Sequence, residues 1–244
     1  MEVPLTRSVL AVLIGSMTLF GCADPELQKK VEDLEKKVAE LEKRPVGMPG
    51  APGAANPEAE NKAAELLKAA TKASEEGNYD EAKAKLAELK SKFGATRAAK
   101  AAARLDSELA VIGKDAGALE VDKWFQGDLG SLDDGTTLLV FWEVWCPHCK
   151  REVPKLAETY NKFNGKGLKM VGLTKMTRDI KEEQVTSFLS ENKVNYPIAK
   201  EKGDSMSQHF GVRGIPAAAV VKDGKVVWRG HPARLNDQMI EGWL

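Results

Sequence analysis

What the sequence lacks first is net charge: 36 basic and 36 acidic residues cancel over 244 positions. A nucleic-acid binder normally shows a basic excess, so no nucleic-acid partner is expected. Cysteine is scarce too, with three in all (Cys22, Cys146 and Cys149), too few for a fold stapled by disulfides. Aromatics are nearly missing from the first 113 residues, because all five Trp and 12 of the 15 Phe, Trp and Tyr fall in 114–244. Large side chains fill cores, so the main globular mass is expected there. No hydrophobic run reaches the ~17–25 residues that span a bilayer as a helix; the uncharged stretch 8–20, SVLAVLIGSMTLF, has 13.

That stretch follows Arg7 and ends at the small pair Gly21–Cys22, the pattern of a secretory signal over 1–21. Leu19-Phe20-Gly21-Cys22 resembles the lipobox of bacterial lipoproteins. The resemblance implies acylation of Cys22, a lipid anchor, and a cell-envelope location on the periplasmic side, with Ala23 leaning toward the outer membrane. Leu27, Val31, Leu34, Val38 and Leu41 then repeat at heptad spacing, with Val at a and Leu at d, the pairing of parallel two-stranded coils. Lys30 and Lys37 at g would face Glu35 and Glu42 at e of a second copy. Residues 22–44 are therefore expected to form a lipid anchor and short coiled coil, with a parallel homodimer or a single solvated helix as the alternatives.

Residues 45–57, PVGMPGAPGAANP, carry four Pro and three Gly and form a linker. From 58 to 113 the chain is rich in Ala, Lys, Glu and Leu, with breaks at Glu76-Gly77-Asn78 and Phe93-Gly94. Two or three helices are expected, with Leu66, Ala70 and Ala73 meeting Ala82, Leu86 and Leu89 across the first break. The run Gly77-Asn78-Tyr79-Asp80-Glu81-Ala82 resembles a tetratricopeptide hairpin, a fold of helical spacers and docking surfaces.

After 114 apolar runs alternate with helical stretches, an α/β pattern. Thr137–Val144, Lys169–Leu173, Ala217–Val221 and Lys225–Trp228 read as strands, and Lys150–Asn161 and Lys181–Asn192 as helices. Cys146 and Cys149 lie where a strand hands over to a helix. Unpaired N–H groups and the positive dipole end at a helix start favour a thiolate, which makes Cys146 the nucleophile and lets Cys149 resolve a mixed disulfide. Pro147 suits a first helical turn, and a protonated His148 would favour the thiolate further. Haem attachment is excluded because Lys150, not His, follows the second Cys. No metal site is expected, since His209 and His231 stand at no finger-like spacing to the pair.

Phe141-Trp142-x-x-Trp145-Cys146-x-x-Cys149-Lys150, then Pro154, then Gly214-Ile215-Pro216-Ala217, resembles the thioredoxin fold, and the 70 residues from Cys146 to Pro216 resemble its membrane-anchored TlpA and ResA branch. The resemblance covers 114–244. It implies a thiol-disulfide oxidoreductase whose only redox group is the Cys146–Cys149 disulfide, with a substrate groove formed by Trp145, Ile215 and a cis-Pro216. It also implies protein thiols or disulfides as substrates and a membrane redox partner. Val140 stands where plain thioredoxin has a buried Asp, and strand alternation puts Glu143 on the opposite face, where it is read as solvated or salt-bridged. Pro147-His148 is of the DsbA type and Ile215 of the thioredoxin type, so the direction of electron flow stays open. A non-enzymatic docking lipoprotein, using the helical hairpin to hold a partner, is the competing reading.

Overall fold

The computed structural model describes residues 56–244, together with Val31, Asp33 and Lys36, which are helical and exposed. The signal segment, Cys22, most of the heptad run and the linker as far as residue 55 lie outside the described residues. Residues 56–244 belong to one compact unit. No described helix is long and apolar enough to cross a membrane.

Four helices come first: α1 (Pro57–Glu75), α2 (Tyr79–Phe93), α3 (Arg97–Ala101) and α4 (Ala103–Leu109). Asn56 caps α1, its side chain accepting from the Ala59 N–H at 3.0 Å, and Pro57 sits at the first helical position where its missing N–H is harmless. The turn into α2 is a Schellman motif: Asn78 N–H donates to Ala73 O and Gly77 N–H to Ser74 O, with Gly77 at φ +78°. That left-handed residue is what the sequence break at 76–78 encodes. Ala63, Ala70 and Ala73 pack on Ala82, Leu86 and Leu89, and Ala98, Ala102, Leu105 and Leu109 close the cluster.

The second part is a six-stranded sheet in the order β1-β4-β3-β2-β5-β6. Its strands are β1 (Val121–Gln126), β2 (Thr136–Phe141), β3 (Leu168–Thr174), β4 (Ile198–Glu201), β5 (Ala217–Lys222) and β6 (Lys225–Gly230). β2, β3 and β4 are mutually parallel, while β5, β6 and β1 run antiparallel to their neighbours. This is the thioredoxin-like α/β fold, preceded by helices.

Every residue of β2 is buried, as a central strand covered on both faces requires. Leu138 and Val140 face α5 (Pro147–Phe163), α6 (Glu182–Glu191) and α8 (Asp237–Trp243), joining Val153, Leu156, Phe188 and Ile240. Leu139 and Phe141 point the other way, onto Met206 and Phe210 around α7 (Ser205–His209) and onto Val111 and Leu132. Each fully buried Leu or Phe contributes about 1.5–3 kcal/mol, and the period of two along β2 feeds both cores. The active-site helix α5 is thereby fixed to the sheet by its own apolar stripe.

Candidate active site

β2 ends at Phe141, and Trp142–Trp145 leave the sheet in a turn that delivers Cys146 to the first position of a helix. Cys146 is the N-cap of α5: its backbone is extended (φ −82°, ψ 115°) and its Sγ accepts from the Cys149 N–H at 3.3 Å. The sulfur thus lies against the unpaired N–H groups and the positive end of the helix. Pro147 occupies the following position and Pro154 lies inside the helix. Both cysteines are free thiols, Cys146 at 4% exposure and Cys149 fully buried. Burial pushes the Cys149 thiol up, far above the ordinary thiol range, and its hydrogen bond with Cys146 pushes the same way.

The Ile215–Pro216 peptide bond is cis, and the Ile215 carbonyl lies 3.9 Å from the Cys146 thiol. Ile215, Gly214, Trp145 and Thr177 line a pocket of about 220 Å³. Phe141, Trp142 and Leu173 line it too, together with the polar Glu143, Lys175, Glu201 and Ser207. The Trp145 ring and the Ile215 backbone thus border one pocket, and the same Ile215 carbonyl approaches the Cys146 sulfur.

His148 is exposed, with its Nδ1 2.6 Å from Nη2 of Arg151. A guanidinium only donates, so in this geometry Nδ1 accepts and the ring proton sits on Nε2. The Arg151 guanidinium thus adds a permanent positive charge beside the first turn of α5. One turn beyond Cys149, the Glu152 carboxylate is 15% exposed and pairs with Lys155 at 3.2 Å.

Glu143 corrects the sequence reading. It is neither solvated nor salt-bridged: only 3% is exposed, and no cation is among its partners. Its Oε1 accepts from the Thr177 N–H and hydroxyl, each at 3.2 Å, and its Oε2 from the Thr174 hydroxyl at 3.2 Å. The reason is that the face opposite Val140 is also covered: Leu139 and Phe141 on it are buried against Met206 and Phe210, so pointing away from Val140 does not mean pointing to solvent. Val140 is fully buried in the apolar core, as its chemistry demands.

The loop held by Glu143 was not visible in the sequence. It places three non-glycine residues at positive φ: Met176 (59°), Arg178 (60°) and Asp179 (55°). Such conformations cost about 1–3 kcal/mol each and persist where surrounding bonds enforce them. Thr177 Oγ1 also accepts from the Trp145 indole N–H at 2.9 Å, and the Arg178 guanidinium carbon lies 3.5 Å above the Trp145 ring centre. A cation over an indole face is attractive, so Trp145 is gripped at its edge and on one face. Three threonines, arginines or methionines in a loop carry no sequence signal for this role; it exists only once β3 and the Cys146 turn are adjacent.

The remaining histidines are structural in position. His209 Nε2 lies 2.8 Å from the Asp115 carbonyl and its ring packs edge-on against Phe210. His231 is partly buried; its Nδ1 accepts from the Ala233 N–H at 3.1 Å, and burial lowers its pKa.

Comparison with known proteins agrees with this geometry. Residues 112–229 match the profile of the AhpC/TSA family. The thiol-disulfide oxidoreductase ResA of Bacillus thuringiensis is 32% identical over 143 residues, covering 57% of this chain and 80% of that protein. The chain belongs to the ResA family of thiol-disulfide oxidoreductases. Among other ResA-type relatives, the sporulation thiol-disulfide oxidoreductase A of Bacillus subtilis is 22% identical over 107 residues, covering 44% of this chain and 65% of its own. The solved thioredoxin domain of a thiol-disulfide oxidoreductase from Bacteroides vulgatus aligns with 55% of this chain and 98% of its own, at a TM-score of 0.47 and 23% identity. The ResA-type match spans 143 residues, and the chain therefore has a further segment of its own beyond it.

Proposed function

We propose that the chain is a lipid-anchored, extracytoplasmic member of its family that exchanges disulfides with protein substrates through Cys146 and Cys149. The placing of Cys146 Sγ between the α5 N-terminus and the Ile215 carbonyl carries this reading. In the reducing direction the Cys146 thiolate attacks one sulfur of a substrate disulfide, forming a mixed disulfide and releasing one substrate thiolate. Cys149, once deprotonated, attacks the Cys146 sulfur. The second substrate thiolate leaves, and the Cys146–Cys149 disulfide holds the electron pair's deficit. The oxidising direction is the same sequence reversed. The raised Cys149 thiol keeps the resolving residue protonated, and so silent, until the mixed disulfide changes its surroundings.

Trp145, Ile215 and Pro216 form the groove in which the substrate backbone lies, and Pro147 and His148 tune the pair. Cys22 carries the lipid, the 22–44 heptads bring two copies together in parallel, and the 45–57 linker and tetratricopeptide-like helices at 58–113 hold the 114–244 domain away from the membrane. Ala23 after the lipidated Cys favours the outer membrane over the inner for this periplasmic location. A membrane redox partner resets the pair. The lipobox, the heptad spacing and the linker composition support these assignments.

The test uses the intact protein. Cys146→Ser should abolish both insulin reduction and dithiol oxidation, while Cys149→Ser should accumulate mixed disulfides; retained turnover in Cys146→Ser would sink the reading. A glutathione titration then fixes direction, between about −270 mV for a thioredoxin-like reductant and about −120 mV for a DsbA-like oxidant.

A further inference from the structure

A cluster of charges where the helices meet the sheet takes no part in the redox chemistry. Glu108 on α4 is 4% exposed; its Oε1 accepts from Arg104 Nε at 3.0 Å and its Oε2 from Arg234 Nη2 at 2.6 Å. One carboxylate therefore serves two guanidinium groups. Behind them Arg229, also 4% exposed, donates only to the carbonyls of Phe210, Ala218 and Gly230. Burial pushes its pKa down to about 10, with Arg104 and Arg234 adding repulsion against the attraction of Glu108. Arg234 Nε is buried and has no partner among the described residues. Arg104 and Arg234 thus share one carboxylate, Arg229 hydrogen-bonds none, and a further carboxylate, Glu75, only lines a neighbouring pocket with Arg229 and Arg234; an excess of positive charge held partly away from water favours the approach of another anion.

Space for that anion is present. A cleft of about 400 Å³ opens at the cluster, with Leu67, Ala101 and Leu105 as an apolar floor and Arg104, Arg234 and His231 at its rim. His231 uses Nδ1 as acceptor for the Ala233 N–H, which leaves its Nε2 proton to donate. Leu67, Thr71 and Ala101 also line a second groove, of about 880 Å³, along α1 and α3, so the cleft is the end of a longer trough whose walls carry Lys68, Lys72 and Arg97 as well as Glu60 and Glu75. An elongated trough with Leu67, Ala101 and Leu105 on its floor at the end where Arg104 and Arg234 stand fits a chain segment better than a compact metabolite.

We propose that this trough binds an aliphatic polypeptide segment carrying a carboxylate, with the carboxylate held between Arg104 and Arg234. The assignment of that segment to a redox client rests on the function proposed above; the binding does not. Arg–carboxylate pairing supplies orientation.

The test is binding by the full chain carrying Cys146→Ser and Cys149→Ser, so that failure of the redox assignment leaves it untouched. Fluorescein-labelled peptides of alternating Leu, Ala and Glu are compared by anisotropy with the same peptides bearing Gln. The Glu peptide should bind at least about five-fold more tightly, and the margin should shrink with added salt. Arg104→Gln, at an exposed position, should remove that margin without weakening the Gln peptide, and Arg104→Lys should restore part of it. Absence of saturable binding, equal affinity for the two peptides, or indifference to Arg104→Gln would overturn the proposal.

Discussion

The Trp145 indole N–H donates to Thr177 Oγ1 at 2.9 Å, and the same hydroxyl donates to the buried Glu143 carboxylate. A side chain at the mouth of the redox site is thus tied, through one threonine, to a carboxylate under the sheet. Replacing Thr177 by Val keeps the shape and removes both bonds. Stability should fall by about 1–2 kcal/mol in urea unfolding, and Trp145 should become more accessible to acrylamide quenching. Unchanged quenching would mean that the Arg178 contact alone holds the indole.

Glu143 makes the stronger prediction. Glu143→Ala leaves Thr174, the Thr177 N–H and the Thr177 hydroxyl without their acceptor, and should destabilise the protein by about 2–4 kcal/mol. Glu143→Gln keeps an acceptor oxygen and should lose about half as much. Equal, small effects from both would show that the loop at 175–180 stands without it.

The buried Cys149 thiol sets a pH dependence. Its folded pKa is raised, so the folded protein keeps a proton that the unfolded chain loses above the ordinary thiol range of about 8.5. The stability this provides is present below that pH and declines above it, by up to about 1.4 kcal/mol per pH unit. Denaturant midpoints of the reduced protein between pH 7.5 and 10 should fall, whereas Cys149→Ala should show a shallower decline.

Gly172 on β3 is required by packing. A Cβ there would meet Ile198 Cδ1 at 2.4 Å, Trp142 Nε1 at 3.1 Å and Tyr196 Cε2 at 3.3 Å. Ile198 can swing aside, but the two rings are fully buried and cannot easily follow. Gly172→Ala should lower stability by about 1–3 kcal/mol, measured by thermal unfolding.

How much was legible in the sequence follows from these same residues. β2, β3 and the β5–β6 hairpin were visible because their apolar runs are continuous, and the Cys146 turn because Pro147 and the strand before it mark a helix start. β1 and β4 were not read as strands. β4 has four residues, and β1 is a partly exposed edge strand whose pairing is interrupted by register shifts. Glu143 was misplaced because its burial depends on what covers the second face of the sheet, a tertiary matter. The Glu108 cluster was invisible for the same reason: Glu108 and Arg234 stand 126 positions apart, and each alone reads as an ordinary surface charge.

Sharing Glu108 between α4 and the turn after β6 also decides where this polypeptide can be cut. A fragment starting at residue 114 would keep Arg229 and Arg234 while discarding the carboxylate that answers them. It would also lose the Gly113 N–H that donates to Val226 O, and the Val111 side chain from the second core. Such a fragment carries orphaned cations on a newly bared apolar surface, so the helices act as an integral lid on the redox domain, and excision at their boundary invites aggregation.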